Sequence, residues 1–394
     1  MDSKTKTMKK YFILLLLAVS YTVVYAQRSK TEILQNPLLA ANGYYAYLGP
    51  LQAKLTPAPK GYIPFYISHY GRHGSRYLIE PTDYSSPLHT LQHADSLGKL
   101  TPTGKEVLRK VTMICSESKG RLGELTLRGA EQHQQIARRM YERFPEVFRG
   151  KTHIDAKSST VVRCILSMEN ALHQFIRINP QLQITHDASE HDMPYLVYGD
   201  TTLYKNKMPG KVKDIYDAFA RKHDNHVGVM NRIFNDELYW RDSVNATDFN
   251  YQLYNLACNV QSTELRHQIS LLPLFTHDEL YDAWLKTNAW WYINYGPSPL
   301  NGAVQPYSQR LLLRRIITEA DSCVALSHPG ATLRYGHDTM VMPLVCLLGI
   351  DGYDKEVEDL ELLDDENWLD YRIFPMACNL QFVFYRSQKR PHDI

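Results

Sequence analysis

The sequence has little of what marks several common classes of protein. Its 44 Lys and Arg residues nearly balance 42 Asp and Glu residues, and no long Lys/Arg run occurs, which argues against a nucleic-acid binder. Six cysteines include no C-x-x-C pair and no Cys/His spacing typical of zinc sites. We therefore predict no metal, and any anion site must be built from a few placed residues.

Long apolar runs are also scarce, and the main one lies at the amino terminus. Four lysines precede an apolar segment at residues 11–24, and Val24-Tyr25-Ala26 offers a site that signal peptidase reads. A membrane anchor is the alternative, but 14 apolar residues are few against the roughly 20 of a spanning helix. We predict that residues 1–26 are a signal peptide cleaved before Gln27.

The mature protein is then expected to be exported, to the periplasm or the medium, and not to be held in a membrane. The cleavage site lacks the cysteine that a lipoprotein anchor requires, so we do not expect a lipid anchor. The remaining cysteines permit disulfides without proving them, and their pairing stays open. Cys346 lies in an apolar run and is expected to be a buried thiol. The chain of 394 residues has an ordinary globular composition, and it is long enough for one large domain or two smaller ones.

The most informative stretch is a strand followed by a basic turn. Tyr62–Ile67 is aromatic and β-branched, which predicts a buried strand that delivers Arg72, His73 and Arg76 to a turn at its carboxyl end. Guanidinium groups match phosphate oxygens, and a neutral imidazole among them can attack phosphorus. The Arg-His-Gly tripeptide alone fits a plain polar turn equally well.

A second strand-to-helix junction carries another arginine. The pattern predicts a strand at Thr152–Ala156, a cap at residues 158–160 and a helix that continues through Ile178. Arg163 falls in the first turn of that helix, where the dipole disfavours a cation, so a bound anion would explain it. A solvated arginine is the alternative.

A helix with a strong pattern is predicted from Thr126 to Phe144. Thr126 caps its start, and apolar residues recur along one face at helical spacing. His133 lies on that face, and we interpret it as a packing residue and not as a ligand.

The third junction is Gly336-His337-Asp338, between a predicted strand at Ala331–Tyr335 and a helix at Thr339–Leu348. The His-Asp dipeptide also occurs at five other places in the chain, so it carries no signal by itself. His337 alone sits at a strand-to-helix turn, which is where open α/β sheets present side chains to ligands.

Residues 187–299 differ in character, being rich in Tyr, Trp, Asn and Asp, with helical patches at Val212–Lys222 and Thr276–Trp291. We predict a mainly helical insertion, whose aromatic residues Trp290, Trp291 and Tyr295 belong to its own core and not to a ligand site. The α/β alternation resumes after residue 300 and ends in a strand at Cys378–Arg386.

These motifs resemble those of the histidine phosphatase superfamily, in the branch of histidine acid phosphatases, phytases and multiple inositol polyphosphate phosphatases. The resemblance rests on RHGSRY at residues 72–77, on Leu125-Thr126 with Gly129, and on His337-Asp338. Leu78 stands where many members have proline, a minor departure. The phosphoglycerate mutase branch lacks the second arginine of the loop and fits less well. Residues 270–300 also resemble exported bacterial members.

The resemblance implies an α/β fold, with a three-layer core around a mostly parallel sheet and an inserted helical cap. The core would comprise residues 27–186 and 300–394, and the cap residues 187–299. It implies a phosphohistidine mechanism without metal or cofactor. The implied roles are nucleophile for His73, leaving-group acid for Asp338, and phosphate binding for Arg72, Arg76, Arg163 and His337.

The substrate implied is a small-molecule phosphate monoester, with phytate or lower inositol phosphates preferred. A sugar-phosphate or broad-specificity acid phosphatase is the alternative, and a non-catalytic phosphate-ester binding protein is the alternative of another class. Multiple inositol polyphosphate phosphatases often have His-Ala-Glu where this chain has His-Asp. An acidic pH optimum is expected, with burial raising the pKa of Asp338 and arginines lowering it. In relatives the last strand usually leads into another, so we expect a truncated carboxyl terminus; the oligomeric state stays open.

Overall fold

A computed structural model of the protein describes residues 28–47, 49 and 56–394, except for the side chains of residues 204–206. The predicted signal peptide and its cleavage site before Gln27 lie outside the described residues. No helix in the described ranges is long and apolar enough to cross a membrane. All six cysteines lie within those ranges and are free thiols, and Cys346 is buried, which confirms the expectation for it.

A twisted, mostly parallel sheet organises the chain. Its strands are β1 (Tyr62–Arg72), β2 (His153–Ser158), β3 (Gln183–Asp187), β4 (Gly330–Gly336) and β5 (Asn379–Ser387). Their order is β3-β2-β4-β1-β5, with the first four parallel and β5 antiparallel to β1. The carboxyl ends of β1, β2 and β4 therefore meet at one edge, as the sequence predicted for the three junctions.

The helices, in chain order, fall before, between and after these strands. They are α1 (Arg28–Gln35), α2 (Pro81–Ser96), α3 (Pro102–Ser118), α4 (Leu127–Arg143), α5 (Val162–Ile178), α6 (Gly210–Lys222), α7 (Val227–Ile233), α8 (Glu237–Ser243), α9 (Ala246–Asn259), α10 (His277–Tyr295), α11 (Arg310–Val324), α12 (Asp338–Leu347) and α13 (Asp370–Ile373). A 3₁₀ helix at Pro37–Tyr44 follows α1.

The two faces of the sheet bury alternate residues of each strand, as the period of two requires. Ile67 and Leu333 join a cluster with residues of α4 and α5, such as Met140 and Phe175. Tyr66, next to Ile67, faces the other way and packs against α11. Helices on both faces make the three-layer α/β core that the sequence predicted, and the mostly parallel sheet is likewise confirmed.

Another apolar cluster joins the remaining helices to α11, α12 and Tyr70 of β1. It contains residues of α6 to α10, with Trp284 and Tyr292 of α10 fully buried. Helices α2 and α3 share this cluster, because α2 packs on α9 and α3 on α7. The helical layer therefore also draws on residues before 187, and the division at 187 and 299 stays a prediction.

Most element boundaries agree with the patterns in the sequence, with two informative differences. β1 continues five residues beyond Ile67, so that Arg72 is still hydrogen-bonded within the sheet. The cap predicted at residues 158–160 is wrong: Val161 is the N-cap and makes no side-chain cap bond. Thr126, by contrast, accepts a hydrogen bond from Gly129 N and caps α4 as predicted.

Candidate functional site

The turn after β1 is held by main-chain bonds on both sides. Arg72 lies opposite Gly336 in the β1–β4 register, and His73 N donates to Gly336 O at 2.9 Å. On the other side, Ala377 N donates to His73 O at 3.1 Å. The sheet and the segment before β5 thus fix the backbone at Arg72 and His73 before any ligand is bound.

Two glycines let the turn press against the start of α4. A Cβ on Gly74 would lie 2.5 Å from Gly129 O, and a Cβ on Gly129 would lie 2.3 Å from Ser75 O. Thr126, the cap of α4, donates its hydroxyl to Ser75 O at 3.0 Å. The Leu-Thr-x-x-Gly block of the sequence therefore positions the turn by close backbone contact, which side chains larger than hydrogen would prevent.

Arg72 is almost completely buried and binds three separate parts of the chain. Its Nη1 atom donates to Gly43 O at 2.5 Å and to Phe374 O at 2.6 Å. Its Nη2 atom forms an ion pair with Asp338 Oδ2 at 2.5 Å. The guanidinium plane is fixed by these bonds, so its charge has a fixed place beside the turn.

Arg76 and Arg163 bring two more guanidinium groups to the same place. Arg76 is buried, donates to Tyr77 O at 2.8 Å and packs over the ring of Tyr44. Arg163 lies in the first turn of α5, as predicted, and burial together with the nearby charge of Arg76 lowers its pKa. Within the described part of the chain, the buried Nε atoms of both arginines have no hydrogen-bond partner. Both side chains therefore have donor capacity left for an anion.

His73 lies among these cations and is fully buried. Its Nδ1 atom is 2.9 Å from Gly74 O, and because a carbonyl only accepts, Nδ1 must carry the proton and donate. Nε2 is then left with its lone pair. Burial, followed by the charges of Arg72 and Arg76, lowers the pKa of His73 well below its usual value. The imidazole is thus neutral, with a free basic nitrogen.

His337 and Asp338 stand at the end of β4 and the start of α12. The rings of His337 and His73 meet edge to face, with centroids 5.7 Å apart. His337 Nε2 lies 3.4 Å from the hydroxyl oxygen of Ser159, and burial lowers its pKa to about 4. Both imidazoles therefore stay neutral at mildly acidic pH, where they offer a donor or an acceptor and no charge.

Burial alone would raise the pKa of Asp338, as the sequence analysis expected. The adjacent charge of Arg72, supported by His337 and Arg76, outweighs that effect and lowers the pKa below its usual range. Of the two opposing effects that the sequence analysis named, the lowering by the arginines therefore dominates in the free protein. An anion bound among the arginines would offset their charge and bring the pKa back up.

His133 of α4 is buried beneath this group of residues. Its ring meets that of Tyr335 edge to face, with centroids 5.5 Å apart. Burial lowers the pKa of His133 to about 3, against a weaker opposing interaction with the backbone of Arg72. The prediction that His133 packs in the interior is confirmed, and the absence of a ligand role stays a prediction.

A cavity of about 330 Å³ opens from Arg72, Arg76 and Asp338 toward the helical layer. Its far wall is formed by α6, α9 and α10, and includes Trp290 and Trp291. The interpretation as cap core is wrong for Trp290, whereas Trp291 and Tyr295 do pack against the apolar cluster of the helical layer, although Trp291 also lines the cavity. Trp291 does pack on Phe374, but Trp290 leaves 37% of its surface exposed.

The sequence analysis missed the contribution of the 3₁₀ helix at Pro37–Tyr44. Asn42, Gly43 and Tyr44 line the cavity, and Asn42 has a positive φ of 46°. The Asn-Gly dipeptide was the available signal, because it marks turns of unusual backbone conformation. The role of Asn259 was missed too: its side-chain amide at the end of α9 donates to Arg76 O at 3.0 Å and ties the helical layer to the turn.

Comparisons with known proteins were made for the sequence and for the structure. The sequence matches the family described as the histidine phosphatase superfamily (branch 2) over residues 71–394. No curated protein matches it.

One similar solved structure is the multiple inositol polyphosphate phosphatase of Bifidobacterium longum in complex with phosphate. The TM-score is 0.72 and the sequence identity is 19%, and the match covers 89% of this chain and 88% of that one. Its complex with inositol hexasulfate gives a TM-score of 0.70 and 20% identity, over 88% and 89% of the two chains. The phytase from D. castellii matches with a TM-score of 0.62 and a sequence identity of 12%, and the match covers 89% of this chain and 76% of that one. At these identities the likeness shows the fold.

The family match covers both predicted signature segments, from the end of β1 to the start of α12 and beyond. It confirms the family that RHGSRY and His337-Asp338 predicted. The chain belongs to the histidine phosphatase superfamily, branch 2, and is a phosphatase that acts on small-molecule phosphate esters.

Proposed function

We propose that the protein hydrolyses phosphate monoesters in two steps through a phosphohistidine on His73. One observation carries the proposal: the buried, neutral imidazole of His73, with its Nε2 lone pair unprotonated, lies among the guanidinium groups of Arg72, Arg76 and Arg163. The carboxylate of Asp338 lies beside them and is paired with Arg72. Arginines bind the phosphate oxygens and offset the charge that develops on them. The imidazole supplies the nucleophile.

In the first step, Nε2 of His73 attacks phosphorus and the bond from phosphorus to the ester oxygen breaks. Arg72, Arg76, Arg163 and His337 bind the three oxygens that stay on phosphorus. Asp338 gives its proton to the departing alkoxide, which leaves as an alcohol. The Nδ1–H to Gly74 O bond keeps the ring oriented and takes up part of the positive charge that the ring acquires.

In the second step, water attacks the phosphohistidine. Asp338, now a carboxylate, accepts a proton from that water, and the N–P bond breaks to give inorganic phosphate and neutral His73. Asp338 is well placed for both roles because its ion pair with Arg72 holds it at the mouth of the turn. The same residue is thus acid in one step and base in the other.

The proton on Asp338 needs a source, since its pKa is low in the free protein. A phosphate monoester has a second pKa of about 6, so at mildly acidic pH it binds as a monoanion with one proton. Its negative charge raises the pKa of Asp338 and of His73. The substrate then brings the proton that its own leaving group takes, which supports an acidic optimum.

For the substrate we propose an inositol phosphate, phytate included, with sugar phosphates as the alternative. The fold likeness to a multiple inositol polyphosphate phosphatase and a phytase supports the first. The His-Asp pair, in place of His-Ala-Glu, leaves sugar phosphates open. We also propose export to the periplasm or the medium, on the basis of the basic and apolar segment at residues 1–26.

The mechanism is tested by rapid acid quench during turnover of ³²P-labelled inositol phosphate or glucose phosphate. We expect label on the protein that is lost in acid and stable in base, and that maps to His73. Label on serine, or no label in a single turnover that releases phosphate, would contradict the mechanism. Absence of any turnover, with p-nitrophenyl phosphate as well, would favour the non-catalytic binding protein.

A further inference from the structure

The far wall of the cavity differs in charge from the turn that binds phosphate. Beyond Arg72, Arg76 and Asp338, the charged side chains that line the described cavity are Lys286 of α10 and Asp248 of α9. Their charges cancel. The wall is otherwise aromatic or neutral and polar, with Trp290 and Tyr251 among the exposed rings.

Lys286 is not available as an isolated cation. Its Nζ atom lies 3.3 Å from Asp224 Oδ1, and the two side chains are mostly buried. Asp224 is held in turn by the hydroxyl of Thr247 at 2.6 Å and by His226 Nδ1 at 3.1 Å. These contacts keep Asp224 ionised, since Thr247 and Lys286 lower its pKa against the effect of burial. A second phosphate group near Lys286 would have to compete with this carboxylate.

The exposed carboxylate of Asp248 adds to the effect. It faces the cavity at the first turn of α9 and accepts a hydrogen bond from Asn245 Nδ2 at 2.5 Å. An inositol with many phosphates would place several anions against a wall whose free charge is negative or nil. Unpaired anions held in a partly closed cavity are costly.

Aromatic and neutral polar groups suit an uncharged ring. The apolar face of a sugar or cyclitol packs against an indole such as that of Trp290, while Thr287 and Asn255 supply hydrogen bonds to ring hydroxyls. We propose that the cavity takes a ring polyol bearing one phosphate, such as an inositol monophosphate or a hexose phosphate, in preference to an inositol bearing many phosphates. This inference rests on the proposed function and narrows its substrate.

The test compares kcat/KM for myo-inositol 1-phosphate, glucose 6-phosphate, glycerol 2-phosphate and phytate at one pH and one ionic strength. The two ring monophosphates should exceed phytate by at least about tenfold, a difference of about 1.4 kcal/mol, and should also exceed the acyclic ester. Phytate turned over as well as or better than myo-inositol 1-phosphate would overturn the inference.

Two variants locate the effect in the wall. Trp290→Ala should lower the ratio of kcat/KM for myo-inositol 1-phosphate to that for glycerol 2-phosphate by about fivefold, whereas Tyr307→Ala, an exposed aromatic outside the cavity, should leave it unchanged. Asp248→Asn should raise the ratio of kcat/KM for phytate to that for myo-inositol 1-phosphate by about two- to fivefold. Asp242→Asn, on α8, is its control. An unchanged ratio in both wall variants would sink the proposal.

Failure of this inference is distinguishable from failure of the mechanism. If p-nitrophenyl phosphate is hydrolysed and His73 is labelled while phytate is preferred, the substrate assignment alone is wrong. If no ester is hydrolysed and no label is trapped, the proposed function itself is wrong. The wild-type substrate series needs no variant, so a variant that fails to fold does not leave the question open.

Discussion

The two sides of the cavity are built in opposite ways. On the sheet side, Arg72 and His73 are fixed by main-chain bonds to β4 and to the segment before β5. On the helical side, the cavity is lined by side chains of three helices, and Trp290 and Tyr251 are partly exposed. One side carries charges in fixed positions, and the other carries rings and neutral polar groups.

Under the proposed mechanism the two sides would have different tasks. Charge stabilisation requires dipoles and cations that do not move during reaction, which backbone anchoring provides. Recognition of the rest of the ester would depend on side chains that are replaceable without disturbing the sheet. Substitutions on the sheet side should therefore alter chemistry for every substrate, and those on the helical side should alter the choice among substrates.

The largest effect is expected from removing the proposed nucleophile on the sheet side. His73→Ala should lower kcat for p-nitrophenyl phosphate and sugar phosphates alike by at least about 10⁴-fold, because no other group in the turn is a free, neutral nitrogen base. Steady-state assays measure the loss, and far-UV circular dichroism checks the fold. His153→Ala, an exposed histidine of β2, is the matched control and should retain activity. Substantial turnover by His73→Ala would remove the nucleophile from the mechanism.

A smaller effect, which depends on the leaving group, is expected for Asp338→Asn. An inositol or sugar alkoxide leaves poorly unless it is protonated, so its phosphoryl transfer should slow by about 10²–10⁴-fold. p-Nitrophenolate leaves unaided and should be affected far less in the burst phase of pre-steady-state kinetics.

This result would refine the comparison of the two sides of the cavity. A residue of the sheet side would then affect substrates unequally, because their leaving groups differ in their need for protonation. Water attack on the phosphoenzyme is measured apart, from the steady-state rate after the burst. Equal slowing of the burst for both ester types would make Asp338 a structural or binding residue.

Backbone packing on the sheet side is tested by Gly74→Ala. The added Cβ would meet Gly129 O at 2.5 Å, so the free energy of unfolding should fall by about 1–3 kcal/mol or more, and activity should fall with it. Gly210→Ala at the start of α6 is the matched control, since a Cβ there meets nothing within 4 Å. Urea unfolding compares the two. A Gly74→Ala protein as stable and active as its control would show that the turn is not fixed by this contact.

The most graded effect, spread over several pH units, is the response of the two layers to acid. Burial lowers the pKa of His69 and of His133 to about 3, so the unfolded chain binds more protons below about pH 6.5. Stability of the sheet layer should fall as pH drops from 6.5 toward 3, by up to about 1.4 kcal/mol per pH unit for each histidine.

His223 in the helical layer should behave in the opposite sense. Hydrogen bonds to Asp282, and then to Glu361, raise its pKa. Its contribution is complete below about pH 6.5 and is lost as pH rises through the folded pKa. Hydrogen exchange at pH 5 and pH 7.5 should show β1 and α4 less protected, and α6 more protected, at the lower pH. Parallel changes in both layers would contradict this assignment.

The sheet side was largely predictable from the sequence because it follows strict local rules. Strand patterns before Arg72 and His337 placed both at carboxyl ends, and parallel strands bring such ends together. The position of Arg163 followed from its distance to a strand-to-helix junction. The low pKa of Asp338 did not follow, because its sign depends on the ion pair with Arg72, 266 residues earlier in the chain.

The helical side was much less predictable. Helix α10 has large apolar residues around most of its circumference, so spacing alone does not tell Trp284, which is fully buried, from Trp290, which lines the cavity. The carbonyls of Gly43 and Phe374 that bind Arg72 carry no signal in side-chain patterns. Such contacts arise from the way distant segments dock.

Because of the way Arg72 is anchored, activity should appear only late in the synthesis and folding of the chain. Its two carbonyl partners lie 29 residues before it and 302 residues after it. A growing chain therefore lacks part of the proposed phosphate site until residue 374 has been made and docked. A buried charged donor that loses its partner costs about 1–3 kcal/mol or more, so partly synthesised or nicked chains would bind phosphate weakly. During refolding, recovery of phosphatase activity should lag behind the recovery of helical circular dichroism.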